Sequence, residues 1–200
     1  MPYLGTQPQN VKKNIGLYTP NEITALTKDG HWGGSLEHIE TQTFSGAANV
    51  DFDDLGNYKV HLFQWKNIHL ADNRDQNLRV KVGGSVQSDS STYSRAFQTG
   101  GSSEVQDKDP NLDRLRLWAQ TGADTGEAVC GNLFMYCALD STKYTMFNQQ
   151  FSQIIYNGVF EPSFGGGGYK VANTLSGVQF YPSSSTMNGS IELFGLKETV

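Results

Sequence analysis

From residue 36 onward, apolar and polar positions alternate with a period of two, the pattern of strands buried on one face. LRVKV (78–82) is the cleanest case, with Leu78, Val80 and Val82 on one face and Arg79 and Lys81 on the other. In YKVHLFQW (58–65), Tyr58, Val60 and Leu62 oppose Lys59, His61, Phe63 and Trp65. That run becomes apolar on both faces toward its end, which predicts a central strand. RLRLW (114–118), NLFMYCAL (132–139), KYTMF (143–147), FSQIIY (151–156), VQFY (178–181) and SIELFGL (190–196) complete the predicted strands. Turn chemistry separates them: GGS (83–85), DSSTYS (89–94), DPN (109–111), GGGG (165–168) and SSST (183–186). Asn157–Gly158 and Asn188–Gly189 fall beside strand runs, where type I′ hairpin turns are expected. Many short strands with turns between them predict an all-β fold, an antiparallel β-sandwich of jelly-roll-like form.

The pattern differs before residue 36. MPYLGTQPQNVKKNIGL (1–17) has no hydrophobic period and reads as an extended arm. The next stretch, YTPNEITALTKDGHWGG, carries a helix signal. Thr19 suits the N-cap, Pro20 the first helical position, and Glu22 completes a capping box, while Gly30 supplies the stop. A short helix is predicted near 20–28. Residues 1–35 are thus expected to form an arm and helix, and 36–200 the sandwich.

Composition agrees with this picture. A chain of 200 residues, 37% hydrophobic and 12% aromatic, can bury one sizeable core. The formal net charge of −5 argues against a nucleic-acid partner, which needs a clustered basic face. No apolar run reaches membrane-spanning length, so no membrane insertion is expected. MPYLGTQPQN lacks the basic and apolar regions of a secretory signal, which points to synthesis in the cytosol. Cys130 and Cys137 lie an odd number apart in one strand-like run, so a disulfide between them is not expected.

Candidate chemistry is thin. His31, His38, His61 and His69 have no metal-ligand spacing. DFDDLG (51–56) starts like a calcium loop, but Leu55 and Leu62 occupy positions that need oxygen ligands. The GGGG run lacks the Lys-Ser/Thr of a phosphate-binding loop. Asp72/Asp75 and Asp107/Asp109 are the carboxylate pairs that glycoside hydrolysis would need, yet they sit in polar loop-like runs. The reading is therefore no enzyme, no cofactor and no metal. Trp32, Tyr93, Phe97, Trp118 and Tyr144 flank loops or strand ends and are candidates for a sugar-binding surface.

Three segments carry a family resemblance: MPYLGTQP, the stretch YTPNEITALTKDGHWGGSLEHIETQTFSGAANVDFDDLGNYKVHLFQWKNI, and the closing LSGVQFYPSSSTMNGSIELFGLK. Together the sequence resembles bacteriophage virion structural proteins, especially tail-fibre and appendage proteins of marine phages and cyanophages. The final strand resembles a closing motif ending Leu-Tyr-Gly, with Phe194 where Tyr is common. The match is weakest over about 83–130. The resemblance implies a β-sandwich head, often a homotrimer, assembled in the host cytoplasm and attached to other virion proteins of the tail or capsid by its N-terminal segment. Attachment would fall on Pro2, Tyr3, Leu4, Gly5 and Pro8. Oligomer or receptor contacts would involve Phe63, Trp65, Tyr93, Trp118 and Tyr144, the receptor being a host surface glycan or protein. Capsid decoration is the alternative role; a free carbohydrate-binding module or a glycan depolymerase is a remoter one.

The last strand adds one detail. Ile191 and Leu193 point one way, but Phe194 and Leu196 fall on the side of Glu192. An apolar outward face suits a neighbouring subunit or a second layer.

Overall fold

The computed structural model describes residues 19–21, 36–101 and 105–196. Of the predicted helix, Pro20 and Asn21 are helical; its remainder, the arm with Pro2, Tyr3, Leu4, Gly5 and Pro8, and Trp32 lie outside the described residues. The chain divides after Ser35, and the unit Leu36–Val200 holds the strands. They are β1 (Leu36–Ala47), β2 (Val50–Phe52), β3 (Val60–Leu70), β4 (Arg74–Val82), β5 (Ser85–Val86), β6 (Tyr93–Thr99), β7 (Val105–Leu112), β8 (Leu115–Thr121), β9 (Val129–Tyr136), β10 (Thr145–Ile154), β11 (Phe160–Tyr169), β12 (Gly177–Pro182) and β13 (Met187–Leu196).

Two antiparallel sheets form the all-β sandwich. The larger has eight strands in the order β1-β13-β3-β9-β10-β11-β6-β7; the smaller has five, β2-β12-β4-β5, with β8 also paired to β4. The chain crosses between the sheets repeatedly, as in jelly rolls. β13 lies between β1 and β3, so the last strand is internal to its sheet.

Alternation explains which faces meet. Along β4, Leu78 and Val80 are fully buried and Val82 packs against the core, as the LRVKV pattern requires. Facing them, β3 turns His61, Phe63 and Trp65 inward, while Gln64 and Lys66 stay exposed. Aromatic side chains bridge the gap. Phe63 of the large sheet meets Phe52 and Phe180 of the small one, with ring centroids 5.4 and 5.3 Å apart. Trp65 lies 5.0 Å from Trp118 of β8, which lies 5.8 Å from Phe151 of β10. Polar ties cross the same gap. The Tyr93 hydroxyl accepts from Val80 N at 3.0 Å and donates to Gln87 O at 2.9 Å. Gln149 Nε2 donates to Leu117 O at 2.7 Å. Buried amides and hydroxyls with partners avoid the cost of stranded polar groups.

Several expectations need correction. Phe63, Trp65, Tyr93 and Trp118, expected as contact residues, are buried in the core of the sandwich. A strand apolar on both faces does not reveal which face its neighbours cover, and here the aromatic face packs inward. KYTMF and FSQIIY contribute to one strand, β10, rather than two. DPN (109–111) belongs to the edge strand β7, where Pro110 blunts further pairing. Asn188–Gly189 is a bulge inside β13, not a hairpin turn: the pairing with β3 slips between Asn188 and Ser190, and Gly189 sits at φ 138°. Asn157–Gly158 does turn the chain, with Gly158 N donating to Ile155 O at 2.8 Å. Gly158 has positive φ and Asn157 does not, so the turn is not type I′.

The GGGG run is the largest correction. It lies within β11, paired to β10 on one side and β6 on the other. A side chain on Gly166 would collide with Phe147 O, and one on Gly167 with Ser94 O and Leu115. Glycine is needed here for close strand approach, not for turning.

Two outcomes check this packing. Gly166→Ala should lower stability by about 1–3 kcal/mol in urea unfolding, because the obstructing atom is backbone and cannot swing away. Leu193→Asp, at a fully buried site, should leave the protein insoluble; a soluble, cooperatively folding variant would place β13 at the periphery.

Candidate functional site

The outward face of the large sheet is the most distinctive surface. Its residues line up across strands because the pairing register fixes them. The first row is Leu36, Leu196, Val60, Tyr136 and Met146, running from β1 through β13, β3 and β9 to β10. The second is His38, Phe194, Leu62, Phe134 and Asn148 over the same strands. Met146 is 59% exposed, Leu36 44% and Leu196 36%. His38 meets Phe194 edge-on at 5.4 Å, and Phe134 stacks with Tyr136 at 6.2 Å. With strands about 4.8 Å apart, these rows form an apolar band about 20 Å across. The outward apolar positions of the last strand therefore belong to a surface shared by five strands.

The third row is polar apart from Phe164: Thr41, Glu192, Gln64, Asn132, Gln150, Phe164, Gln98 and Gln106. Beyond it, Lys66 Nζ pairs with Glu192 at 3.0 Å, an exposed ion pair that contributes little stability. On β11 and β6 the second row continues as Gly166 and Ala96, so the surface sinks there. A hollow of about 490 Å³ opens at this place, lined by Ala96, Phe97, Gln98, Gln106, Lys108 and Phe164, among others. A second, of about 290 Å³, is lined by Gln98, Gln150, Pro162 and Phe164.

Of the carboxylates considered for catalysis, Asp72, Asp75 and Asp107 are held by cations, whereas Asp109 accepts from Asn111 N at 3.0 Å. Asp72 pairs with Arg74 at 2.7 Å. Asp75 accepts from Arg116 at 3.3 Å, and Asp107 accepts from both Arg95 and Arg116. Arg95 also lies over the Phe97 ring, 5.1 Å from its centroid. Burial, and then the neighbouring Arg116, lower the Arg95 pKa, while Asp107 counters them. In the DFDDLG stretch, Lys81 Nζ sits 2.6 Å from Asp51 and 2.7 Å from Asp53, so an ammonium occupies the place considered for calcium.

The histidines do not converge. His38 is on the outer face, His69 Nε2 lies 3.0 Å from Ala123 O, and His31 is outside the described residues. Among the described residues no cluster of His, Cys, Asp and Glu fits a metal. Of the aromatic candidates, Tyr144 alone is both described and exposed, just before β10; Phe97 is buried against arginines. The residues that sequence reasoning missed are Phe164 and the amides beside it. Their signal is cross-strand register, which no single segment carries.

No family model matches the chain, and neither a curated protein nor a solved structure is found similar to it.

His61 yields a pH test. It is buried, with Nε2 donating to Leu55 O at 2.8 Å and Nδ1 facing the core. Burial lowers its pKa below the ordinary 6.5, only partly opposed by the carbonyl contact. The folded state thus binds this proton less readily than the unfolded chain. The stability contribution is fully present above 6.5 and is lost as pH falls toward the lower folded value. Urea midpoints measured from pH 7.5 to 5 should fall for the wild type and fall less for His61→Gln.

Proposed function

We propose that this chain is a non-enzymatic virion structural protein of the tail-fibre or appendage class, attached by its N-terminal segment and assembled into homo-oligomers through the outer face of its large sheet. The observation that carries the reading is the apolar band across β1, β13, β3, β9 and β10. A solvated antiparallel sheet ordinarily presents polar residues outward. Here Leu62, Phe134, Tyr136, Met146, Phe194 and Leu196 present apolar surface together, and exposed patches of that kind mark interaction sites. A second copy fits the band because its partner must also be broad, flat and apolar. The ion-paired carboxylates favour a structural role over hydrolysis, and the resemblance of the N-terminal and closing segments to phage proteins favours the virion as the setting.

Sedimentation of the full chain tests the assembly. The wild type should sediment as an oligomer, with the trimer expected, and Leu62→Ser with Phe194→Ser should raise the dissociation constant at least about tenfold. A wild type that stays monomeric at all concentrations would contradict the reading. Gold-labelled antibody on particles then locates the protein; label on the head shell alone assigns it to capsid decoration instead. Deleting residues 1–17 should leave the sandwich folded and abolish incorporation into particles.

A further inference from the structure

We propose that the row Gln64, Asn132, Gln150, Phe164, Gln98 and Gln106 is a saccharide-binding strip, with Lys108 beside it favouring sugars that bear a carboxylate. The first argument is alignment. Each of these residues is the direct cross-strand partner of the next, from β3 through β9, β10, β11 and β6 to β7. Spaced by about 4.8 Å per strand, the six side chains make a line about 24 Å long. That geometry suits a chain of similar units better than a single compact ligand.

The second argument is the state of the side chains. Inward-facing amides of the same sheet have partners inside the protein: Gln149 donates to Leu117 O at 2.7 Å, although its Oε1 has no partner, and Gln153 accepts from Thr121 at 2.9 Å. Among the described residues, the outward amides of the strip make no side-chain hydrogen bond within the protein. Each offers both donors and an acceptor without charge, which is what sugar hydroxyls match.

The third argument is Phe164. It is 58% exposed, although its neighbours in the row are amides rather than apolar residues. The two hollows meet along it, and both are lined by Phe164 and Gln98. The glycines that follow it cannot carry side chains, so the ring stands above a lowered floor of Gly166 and Ala96. A ring raised beside a hollow can take the apolar C–H face of a sugar while the amides take its hydroxyls. Lys108 lines the larger hollow beside Asp107; that carboxylate is taken up by Arg95 and Arg116, while Lys108 makes no ion pair among the described residues, leaving its ammonium for a ligand carboxylate.

Other ligands fit less well. An added peptide strand needs an open sheet edge, whereas β9, β10, β11 and β6 each have strands on both sides. Nucleic acid needs a cluster of cations, and the chain carries a net −5. A second copy is better served by the apolar rows. The strip rests on the reading of this domain as the displayed part of an appendage, but sugar binding and particle incorporation are separate readouts.

The test uses the purified full chain on an array of neutral and uronic-acid-containing oligosaccharides, followed by saturation-transfer NMR with the sugars retained. Uronic-acid-containing sugars should bind with a Kd near about 1 mM per site, as few contacts and no enclosed pocket imply. Phe164→Ala, and separately Gln98→Ala with Gln150→Ala, should weaken binding at least about tenfold with melting temperature and sedimentation unchanged. Lys108→Ala should abolish the preference for uronic acids. All three variants should still be incorporated into particles. Absence of binding to any sugar, retention of neutral sugars only, or binding indifferent to Phe164→Ala would overturn the assignment. Loss of particle incorporation in the Phe164→Ala variant would instead make the strip an assembly surface and also overturn it.

Discussion

The packing of aromatic side chains between the sheets is the constraint on which the rest depends. Phe63 and Trp65 of β3 are held against Phe52, Phe180 and Trp118 of the small sheet. A strand so anchored cannot slip, because a shift of one residue would turn Gln64 into the core and both aromatics into water. With β3 fixed, its neighbours β13 and β9 are fixed, and the register then propagates through β10 and β11 to β6. The outer rows are a consequence of that register. What the core uses inward determines what the surface presents outward.

Seen this way, the outer face holds two materials in adjoining rows. Apolar side chains gather toward the ends where β1 begins and β13 finishes; amides and one aromatic ring lie next to them. The glycines of β11 mark the boundary between them locally. They let β10, β11 and β6 approach closely, and they leave no side chains to fill the surface beside Phe164. On the proposed reading, a weakly binding strip would gain from assembly through the neighbouring rows, since several copies held together convert weak single contacts into avidity.

The fold was legible where one strand carries its own signal. LRVKV shows its alternation directly, and the inward Ile191 and Leu193 of β13 follow from period two. The strands β1, β6 and β7 were not read from the period-two pattern, because LEHIETQTFSGA, YSRAFQT and VQDKDPNL are polar or irregular and are held by their neighbours' register. GGGG reads as a turn by local chemistry, and only the proximity of Phe147, Ser94 and Leu115 explains its place in a strand. The site was less legible still. Phe63, Trp65, Tyr93 and Trp118 are large and aromatic, which is why they invite a surface role, and the same bulk is what the core requires. Phe164 and its amides are unremarkable in their own segments and acquire meaning only across six strands.

Hydroxyl-radical footprinting of the full chain at increasing concentration tests the division of this face most directly. Phe134, Tyr136, Met146 and Phe194 should become protected as the protein assembles, while Phe164 stays as reactive as in the dilute protein. Unchanged reactivity of the four, or protection of Phe164 in their place, would contradict the account.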